Sequence, residues 1–386
     1  MKPESLPLLP EWIVERTRAV RGDGPFSEVR EKSRAILLAN GLPLPETEFY
    51  RETPFQAEFA SDPTPVVRSR QMEVITAPPG VEVTREPGPG ARPAGSLADD
   101  SDGYQNLFWQ QVEQGSWIEI PAKYRGTSTL SIGAGGRNPE VAYRQIVVGH
   151  DADCRIIMDY THSRHLFTEI YIEKGANVEI TWKHNNPQGS LLSHTVIHQA
   201  EESTVKTVGF LLNAQKLRNN LKVILAGERG SHQAYGLTLG SGEQHADNHI
   251  SMCHMAPKCT SLQLYKSILS DRSIGVFCGR ILVAPGAQET QAYQQNRNLL
   301  IADTALMKSR PQLEIYADNV KCSHGATTGE LRDDALFYLR SRGIGHKEAK
   351  QMLTVAFAQE VISSTDHDAS QKEAVVALEA LFGPNS

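Results

Sequence analysis

The chain has 386 residues and carries 39 lysine and arginine side chains against 45 aspartate and glutamate side chains, a net charge of −6. This length allows two or three domains with a sizeable core, and the acidic balance excludes the basic surface that nucleic-acid binding requires. No run of about 18 apolar residues is present, so we expect no membrane-spanning helix. The N-terminal residues lack the pattern of a secretory signal, and the five cysteines form no CxxC pair. We therefore expect a cytoplasmic protein with reduced thiols.

Two segments precede the main body of the chain. Residues 1–74 predict an N-terminal helical region, in which SEVREKSRAILLAN (Ser27–Asn40) is a helix that Ser27 caps and Gly41 ends. Residues 75–103 hold five prolines and five glycines without a repeating apolar face, which is typical of a linker or a long loop.

Residues 104–329 predict a mainly β body. Short runs rich in β-branched residues, such as VAYRQIVV at 141–148, alternate with turn-forming segments. These segments recur at intervals of 25 to 30 residues and begin at Gly149, Gly175, Ala200, Gly227, Ala256 and Gly286. Such regular spacing predicts a β-solenoid, in which each coil consists of short strands linked by turns. A β-sandwich with frequent turns is the alternative.

Residues 330–386 predict a C-terminal helical domain. ELRDDALFYLRSRG and HKEAKQMLTVAFAQEVI repeat apolar residues at helical spacing, and a last helix follows them. Amphipathic helices at the end of a solenoid have two uses, because they can cover its open edge or bind a partner. The residues alone leave these two interpretations open.

The common catalytic motifs GxxxxGK[ST], HExxH and GxSxG are missing from the sequence. We therefore expect no ATPase, zincin or α/β-hydrolase machinery in this chain. One enzymatic alternative is a β-helix that acts on polysaccharide, for which converging carboxylates are needed. The available carboxylates are Glu243, Asp247 and Asp271.

The segment DNVKCSHGATTGE, residues 318–330, carries two soft metal ligands. Cys322 and His324 are two residues apart, so on a strand both side chains leave the same face. A thiolate beside an imidazole suits iron, zinc or copper(I), but a closed site normally needs four ligands. Any metal held here must take further ligands from elsewhere in the chain or from another chain. The alternative is a strand-end cysteine and a turn histidine without a metal.

A second cluster, EQHADNHISMCHMAPKC, contains five soft ligands within fifteen residues. They are His245, His249, Cys253, His254 and Cys259. On a strand His245, His249 and Cys253 share one face, and His254 lies on the other. Solvated histidines on a solenoid face are one interpretation, and a stand-alone metal-binding protein is the other.

The motif DNVKCSHGATTGEL, with SRPQLEIYADNV before it and DDALFYLRSRGI after it, closely resembles the SufB/SufD family of iron–sulfur cluster assembly proteins. The similarity is collinear over residues 245–365. SufB members of the family have a glutamate where this chain has Gly325. The chain therefore resembles the SufD branch of the family.

This resemblance implies a right-handed parallel β-helix between helical ends, and a non-catalytic scaffold subunit in a cytoplasmic SufBCD-type complex. It implies that His324, with Cys322 beside it, takes part in assembling an iron–sulfur cluster at the interface with a SufB-like subunit. His254 and Cys259 are secondary candidates for the same process. The cluster is transient and shared with SufB, so the isolated chain is expected to hold no cofactor firmly.

The resemblance also implies that a SufC-like ATPase docks on the C-terminal helices, over residues 331–363. The side chains expected at this docking surface are Leu336, Leu339, Met352, Leu353 and Phe357. Neither nucleic acid nor a membrane is an expected partner. Without a SufB-like subunit, a homodimer is the alternative assembly for the chain.

Overall fold

The computed structural model describes residues 9–19, 24–44, 47–60, 73–133, 140–161 and 163–382. Within them, helices at both ends of the chain flank a body of parallel strands. The helices are α1 (Glu11–Ala19), α2 (Ser27–Asn40), α3 (Gly103–Gln111), α4 (Asp333–Ser341), α5 (His346–Ile362) and α6 (Asp368–Ala380). The strands are β1 (Ile75–Thr76), β2 (Glu82–Thr84), β3 (Gly115–Ile120), β4 (Arg125–Ile132), β5 (Val141–Val148), β6 (Asp153–Asp159), β7 (His165–Ile172), β8 (Asn177–Gln199), β9 (Thr204–Leu225), β10 (Ser231–Gly240), β11 (His245–His254), β12 (Thr260–Leu269), β13 (Ile274–Val283), β14 (Gln291–Leu300), β15 (Leu306–Ile315) and β16 (Lys321–Gly329).

The main strands form two parallel sheets. Sheet A consists of β4, β6, the first halves of β8 and β9, and then β10, β12, β14 and β16. Sheet B consists of β3, β5, β7, the second halves of β8 and β9, and then β11, β13 and β15. Because the chain alternates between the sheets, it winds into a β-solenoid of about seven turns. This confirms the predicted mainly β fold with helices at both ends.

One turn of each coil repeats the same backbone conformation. A residue in this turn has a positive φ of 56° to 68°, and its N–H donates to a carbonyl of the next coil. These residues are Lys123, Asp151, Gly175, Glu202, Arg229, Lys258 and Glu289. The conformation is uncommon for residues that carry a side chain, and the hydrogen bond to the neighbouring coil stabilises it at every level. This repeated turn is the physical origin of the spacing seen in the sequence.

The interior between the sheets changes character along the solenoid. In the first coils it is apolar, and Ile146 and Ile170 of sheet B belong to the same buried cluster as Ile156 and Ile180 of sheet A. In the last coils several buried inward side chains are amides, namely Gln263, Gln294, Asn296 and Asn298. Polar groups in a core need hydrogen-bond partners, so this end of the interior is the more constrained.

Helix α2 has the predicted bounds and ends at Gly41, whose φ of 71° and N–H bond to the Leu37 carbonyl close it. The predicted cap is wrong: Phe26, not Ser27, is the N-cap residue, and no side chain caps the helix. The Phe26 ring packs instead against Trp109 and Trp117. Aromatic burial therefore determines where this helix begins.

The N-terminal region covers the outer face of sheet B. Helix α3 packs on this face, with Trp109 against Phe167 of β7. Residues 75–103, predicted as a linker or long loop, contribute β1 and β2 to the sheets. Further along this segment, the Glu169 carboxylate of β7 accepts the backbone N–H groups of Gly95 and Leu97. Backbone hydrogen bonds thus hold the proline- and glycine-rich segment against the body.

The C-terminal helices cover the outer face of sheet A. Ala358 and Val361 of α5 and Leu378 of α6 pack in one buried cluster with Phe210 and Leu264 of the sheet. In the described part of the chain, no helix is both long and apolar enough to cross a membrane.

Several histidines are buried in the interior, and His232 of β10 is an example. Its ring contacts Gln199 at 2.6 Å and Thr207 at 3.1 Å, and burial lowers its pKa from 6.5 to about 3. The unfolded chain therefore binds a proton between these pH values that the folded chain does not. The stability contributed by neutral His232 is therefore complete above pH 6.5 and is lost as the pH falls toward 3.

We predict that His232→Gln, which keeps hydrogen-bonding capacity, flattens the loss of stability between pH 6 and 4. The slope of the unfolding free energy against pH should decrease by up to about 1.4 kcal/mol per pH unit, because the variant lacks the group that binds one extra proton on unfolding. Urea unfolding at several pH values measures it. His150→Gln is the control for an imidazole at the surface, where the ring is 53% exposed. An unchanged acid slope in His232→Gln would contradict the prediction.

Candidate functional site

The candidate site lies on β16, the last strand of sheet A. Cys322 pairs in register with Ala292 of β14, and His324 pairs with Gln294. Ala292 and Gln294 are buried and point into the solenoid. Because paired residues of neighbouring strands point to the same side of a sheet, Cys322 and His324 face inward as well. The structure thus places the two predicted ligands on one face, about 7 Å apart along the strand.

The solenoid is open beyond β16. Among the described residues β16 pairs only with β14, and β15 pairs only with β13. We call β15 and β16 the open end. As a result the inward-facing His324 is exposed, whereas Cys322 is half-buried against the core. Burial raises the pKa of the Cys322 thiol, so it is protonated at neutral pH unless a metal or a base takes the proton.

Cys322 and His324 are an incomplete ligand set. In the described ranges of the chain, no three histidine, cysteine, aspartate or glutamate side chains are placed to hold one metal ion. Iron–sulfur clusters are held mainly by four cysteine thiolates, and histidine can replace some of them. Among the described residues these two side chains alone are too few to hold a cluster at the open end.

The secondary candidates His254 and Cys259 are sealed inside the protein. The His254 ring contacts the Ser261 hydroxyl at 2.9 Å, and burial lowers its pKa to about 4. The Cys259 thiol donates to the Gly227 carbonyl at 3.2 Å, and burial raises its pKa. Cys259 directly precedes β12, which β14 separates from β16. The structure therefore does not bring these residues together with Cys322 and His324.

The remaining members of the second cluster lie on the outer face of sheet B. His245 contacts the Thr53 hydroxyl at 2.9 Å, and His249 accepts from Arg218 at 2.6 Å and stacks on Phe49. These contacts bind the N-terminal segment to the body. The alternation along β11 is as predicted, and one nitrogen of each ring, Nε2 of His245 and Nδ1 of His249, already has a protein partner.

Each carboxylate of the polysaccharide alternative has a partner in the structure. Asp247 is buried in an ion pair with Arg218 at 3.1 Å, and desolvation raises its pKa. Glu243 is exposed and pairs with Arg272 at 2.5 Å. Asp271 accepts the backbone N–H of Gly242 at 2.8 Å in a turn. These contacts are those of a structural ion pair and of surface turns, and none of them involves a substrate-sized cleft lined by the three carboxylates among the described residues.

The predicted docking residues divide into two sets. Leu336 is buried, Leu339 and Leu353 are half-buried, and Phe357 packs beside Lys266 of sheet A. Met352 is exposed. Phe337 and Tyr338, which are 74% and 57% exposed on α4, are not among the docking residues predicted from the sequence. In the sequence both residues lie beside the apolar stripe of the helix rather than on it, and this position is the feature that indicates their exposure.

Comparison with known proteins confirms the family resemblance of the sequence. Residues 133–357, more than half of the chain, match the family model described as "SUF system FeS cluster assembly, SufBD core domain". The iron–sulfur cluster assembly protein SufD of Escherichia coli is 40% identical over 192 residues, which are 50% of this chain and 45% of that protein. An iron–sulfur cluster assembly SufBD family protein of Synechocystis is 36% identical over 200 residues, 51% of this chain and 44% of that protein. The chain spans about half the length of these relatives. It belongs to the SufBD family.

Proposed function

We propose that the chain is a non-catalytic scaffold subunit of a SufBCD-type complex, on which iron–sulfur clusters are assembled. One observation carries the proposal: an incomplete pair of soft ligands, Cys322 and His324, faces inward at the unpaired end of the solenoid. The cluster is the cargo of this site rather than a resident cofactor. Membership of the SufBD family and similarity to SufD of Escherichia coli support the assignment.

A SufB-like subunit is the proposed partner at the open end. Strands β15 and β16 present unpaired backbone edges, and edges of this kind pair readily with strands of another chain. Leu306, Ile315 and Tyr316 are 45%, 39% and 62% exposed in or beside β15 and add apolar area. A second copy of this chain has the same edges, so a homodimer is the expected competitor when the SufB-like subunit is absent.

The partner supplies the ligands that the chain lacks. His324 is an exposed imidazole, and Cys322 becomes a thiolate when metal replaces its proton. A cluster held half by each subunit loses ligands when the subunits separate, which suits a scaffold that must release its product. The free state of all five cysteines fits the reducing cytoplasm that we propose as the compartment.

A SufC-like ATPase is the proposed partner of the C-terminal helices. Their buried faces already pack on sheet A, so the docking surface consists of the exposed side chains Phe337, Tyr338 and Met352. Aromatic residues and methionine are typical of interface cores. ATP hydrolysis would then occur in that partner, and motion of the helices would reach β16, which directly precedes α4.

We predict that His324→Ala lowers the cluster yield of the co-expressed complex by at least about tenfold, the loss caused even by removal of outer-shell partners of metal ligands. Complex assembly should survive, because the imidazole is exposed. Iron and sulfide analysis after size-exclusion chromatography measures the yield. Ser323→Ala, on the outer side of the same strand, is the matched control. A wild-type yield in His324→Ala would refute the role of this residue.

We predict that the partner protects Cys322 from alkylation. In the isolated chain iodoacetamide should modify Cys322 slowly and faster as the pH rises, since burial raises the thiol pKa. In the complex the modification should slow at least tenfold, because the open end is covered. Cys278, half-buried on β13 of sheet B, is the internal control in mass spectrometry. Equal labelling of Cys322 in both states would exclude the open end as the interface.

We predict that Phe337→Ala combined with Met352→Ala weakens binding of the SufC-like ATPase at least tenfold, about 1.4 kcal/mol. The fold should be retained, because both side chains are exposed. Calorimetric titration of the intact chain measures the affinity. Val376→Ala on α6, where Val376 is 65% exposed, is the control for loss of surface apolar area. Equal affinity of the double variant and the wild type would place docking elsewhere.

A further inference from the structure

The interior directly beneath the candidate site is polar. Inward side chains of β14 include Gln294, Asn296 and Asn298, which are 1%, 1% and 4% exposed. Most of their polar atoms are paired: the Asn296 side-chain oxygen, for example, accepts from Ser309 at 2.8 Å and from Asn298 at 2.7 Å. The exceptions are the side-chain oxygens of Gln294 and Asn298, which have no hydrogen-bond partner among the described residues.

The nitrogen end of the Gln294 amide contacts the preceding coil and the opposite sheet. Its Nε2 donates to the Oε1 of Gln263 on β12 at 3.1 Å. Across the interior it lies over Gly279 of β13, where a Cβ would collide with it. The donor end of the amide is therefore directed to the preceding coil. The acceptor end, Oε1, is buried without a hydrogen-bond partner among the described residues.

His324 is the residue next to Gln294 in the register of β16. Neighbouring strands lie about 4.8 Å apart, and both side chains face the interior. A neutral imidazole always carries one N–H, and a buried amide oxygen needs a donor. Gln294 Oε1 has no other donor among the described residues, and β16 is the neighbour of β14 on the side away from Gln263.

We infer that Gln294 is a positioning residue for His324, whose ring N–H donates to Gln294 Oε1. This inference rests on the proposed function. Histidines that bind metals usually donate their second nitrogen to a carboxylate or a carbonyl oxygen, which selects the tautomer and orients the ring. Here the hydrogen bond directs the other ring nitrogen out of the open end, toward the cluster and the partner. A neutral amide does this without placing a charge in the solenoid interior.

The tautomer of His324 tests the inference directly. In the full-length chain labelled with ¹⁵N, long-range ¹H–¹⁵N spectra at a pH of about 8.5 distinguish the two neutral tautomers, and His324→Ala identifies the resonances. We expect one tautomer in the wild type and a mixture in Gln294→Met, which keeps the length of the side chain but removes the acceptor. Gln295→Met, at an exposed outward position of the same strand, should leave the single tautomer unchanged.

Gln294→Glu is the rescue variant. It keeps an acceptor toward His324, and Gln263, whose Nε2 has no partner among the described residues, can turn its amide to donate to the new carboxylate. We expect Gln294→Glu to retain the single tautomer. A tautomer mixture in the wild type, or a single tautomer that survives in folded Gln294→Met, would overturn the inference. The wild-type spectrum decides the matter even where Gln294→Met does not fold.

Cluster yield in the reconstituted complex separates this inference from the proposed function. We expect Gln294→Met to lose about 10- to 100-fold in iron retention, the usual effect of removing such a partner, with Gln295→Met unaffected. If His324→Ala keeps its yield, the proposed function fails while the tautomer result stands. If His324→Ala loses its yield and Gln294→Met does not, only the positioning role fails.

Discussion

A strand inside a parallel sheet divides its backbone hydrogen bonds between the strand before it and the strand after it. Most strands of this solenoid satisfy both sides, but in the described part of the chain β15 and β16 have a neighbour on one side only. Along β15 and β16, which have ten and nine residues, about every second residue therefore presents its N–H and C=O groups to the open side. The geometry of the candidate site depends on this open end, because the inward face of β16 is accessible from outside.

The two ends of the chain cover the faces of the solenoid rather than this end. The N-terminal segment reaches as far as the outer face of β15, where Glu52 pairs with Lys308 at 2.8 Å and Glu48 pairs with Arg310 at 3.2 Å. The C-terminal helices follow β16 but fold back onto sheet A, with Lys266 binding the Phe357 carbonyl at 2.8 Å. Both segments stabilise the last coils through contacts with the outer faces of the two sheets. In the described ranges neither supplies a strand for the edges of β15 and β16.

The same coil combines polar burial with metal-ligand chemistry. Amide side chains in a core are stabilising only when their hydrogen bonds are made, and those of β14 are arranged in a ladder with the coils before and after it. Cys322 and His324 are the next level of that ladder. Their register with Ala292 and Gln294 directs both side chains toward the interior of the solenoid.

Local rules in the sequence determined much of this structure. The spacing of turn segments predicted the solenoid because each coil repeats one turn, and Gly41 ended α2 because it can adopt a positive φ. Two-residue spacing was enough to place Cys322 and His324 on one face of a strand. Tertiary structure decided the rest. It buried Leu336 and exposed Phe337, sealed His254 and Cys259 in the interior, and put Gln294 beside His324, since strand register between residues thirty positions apart depends on the packing of whole coils rather than on local sequence.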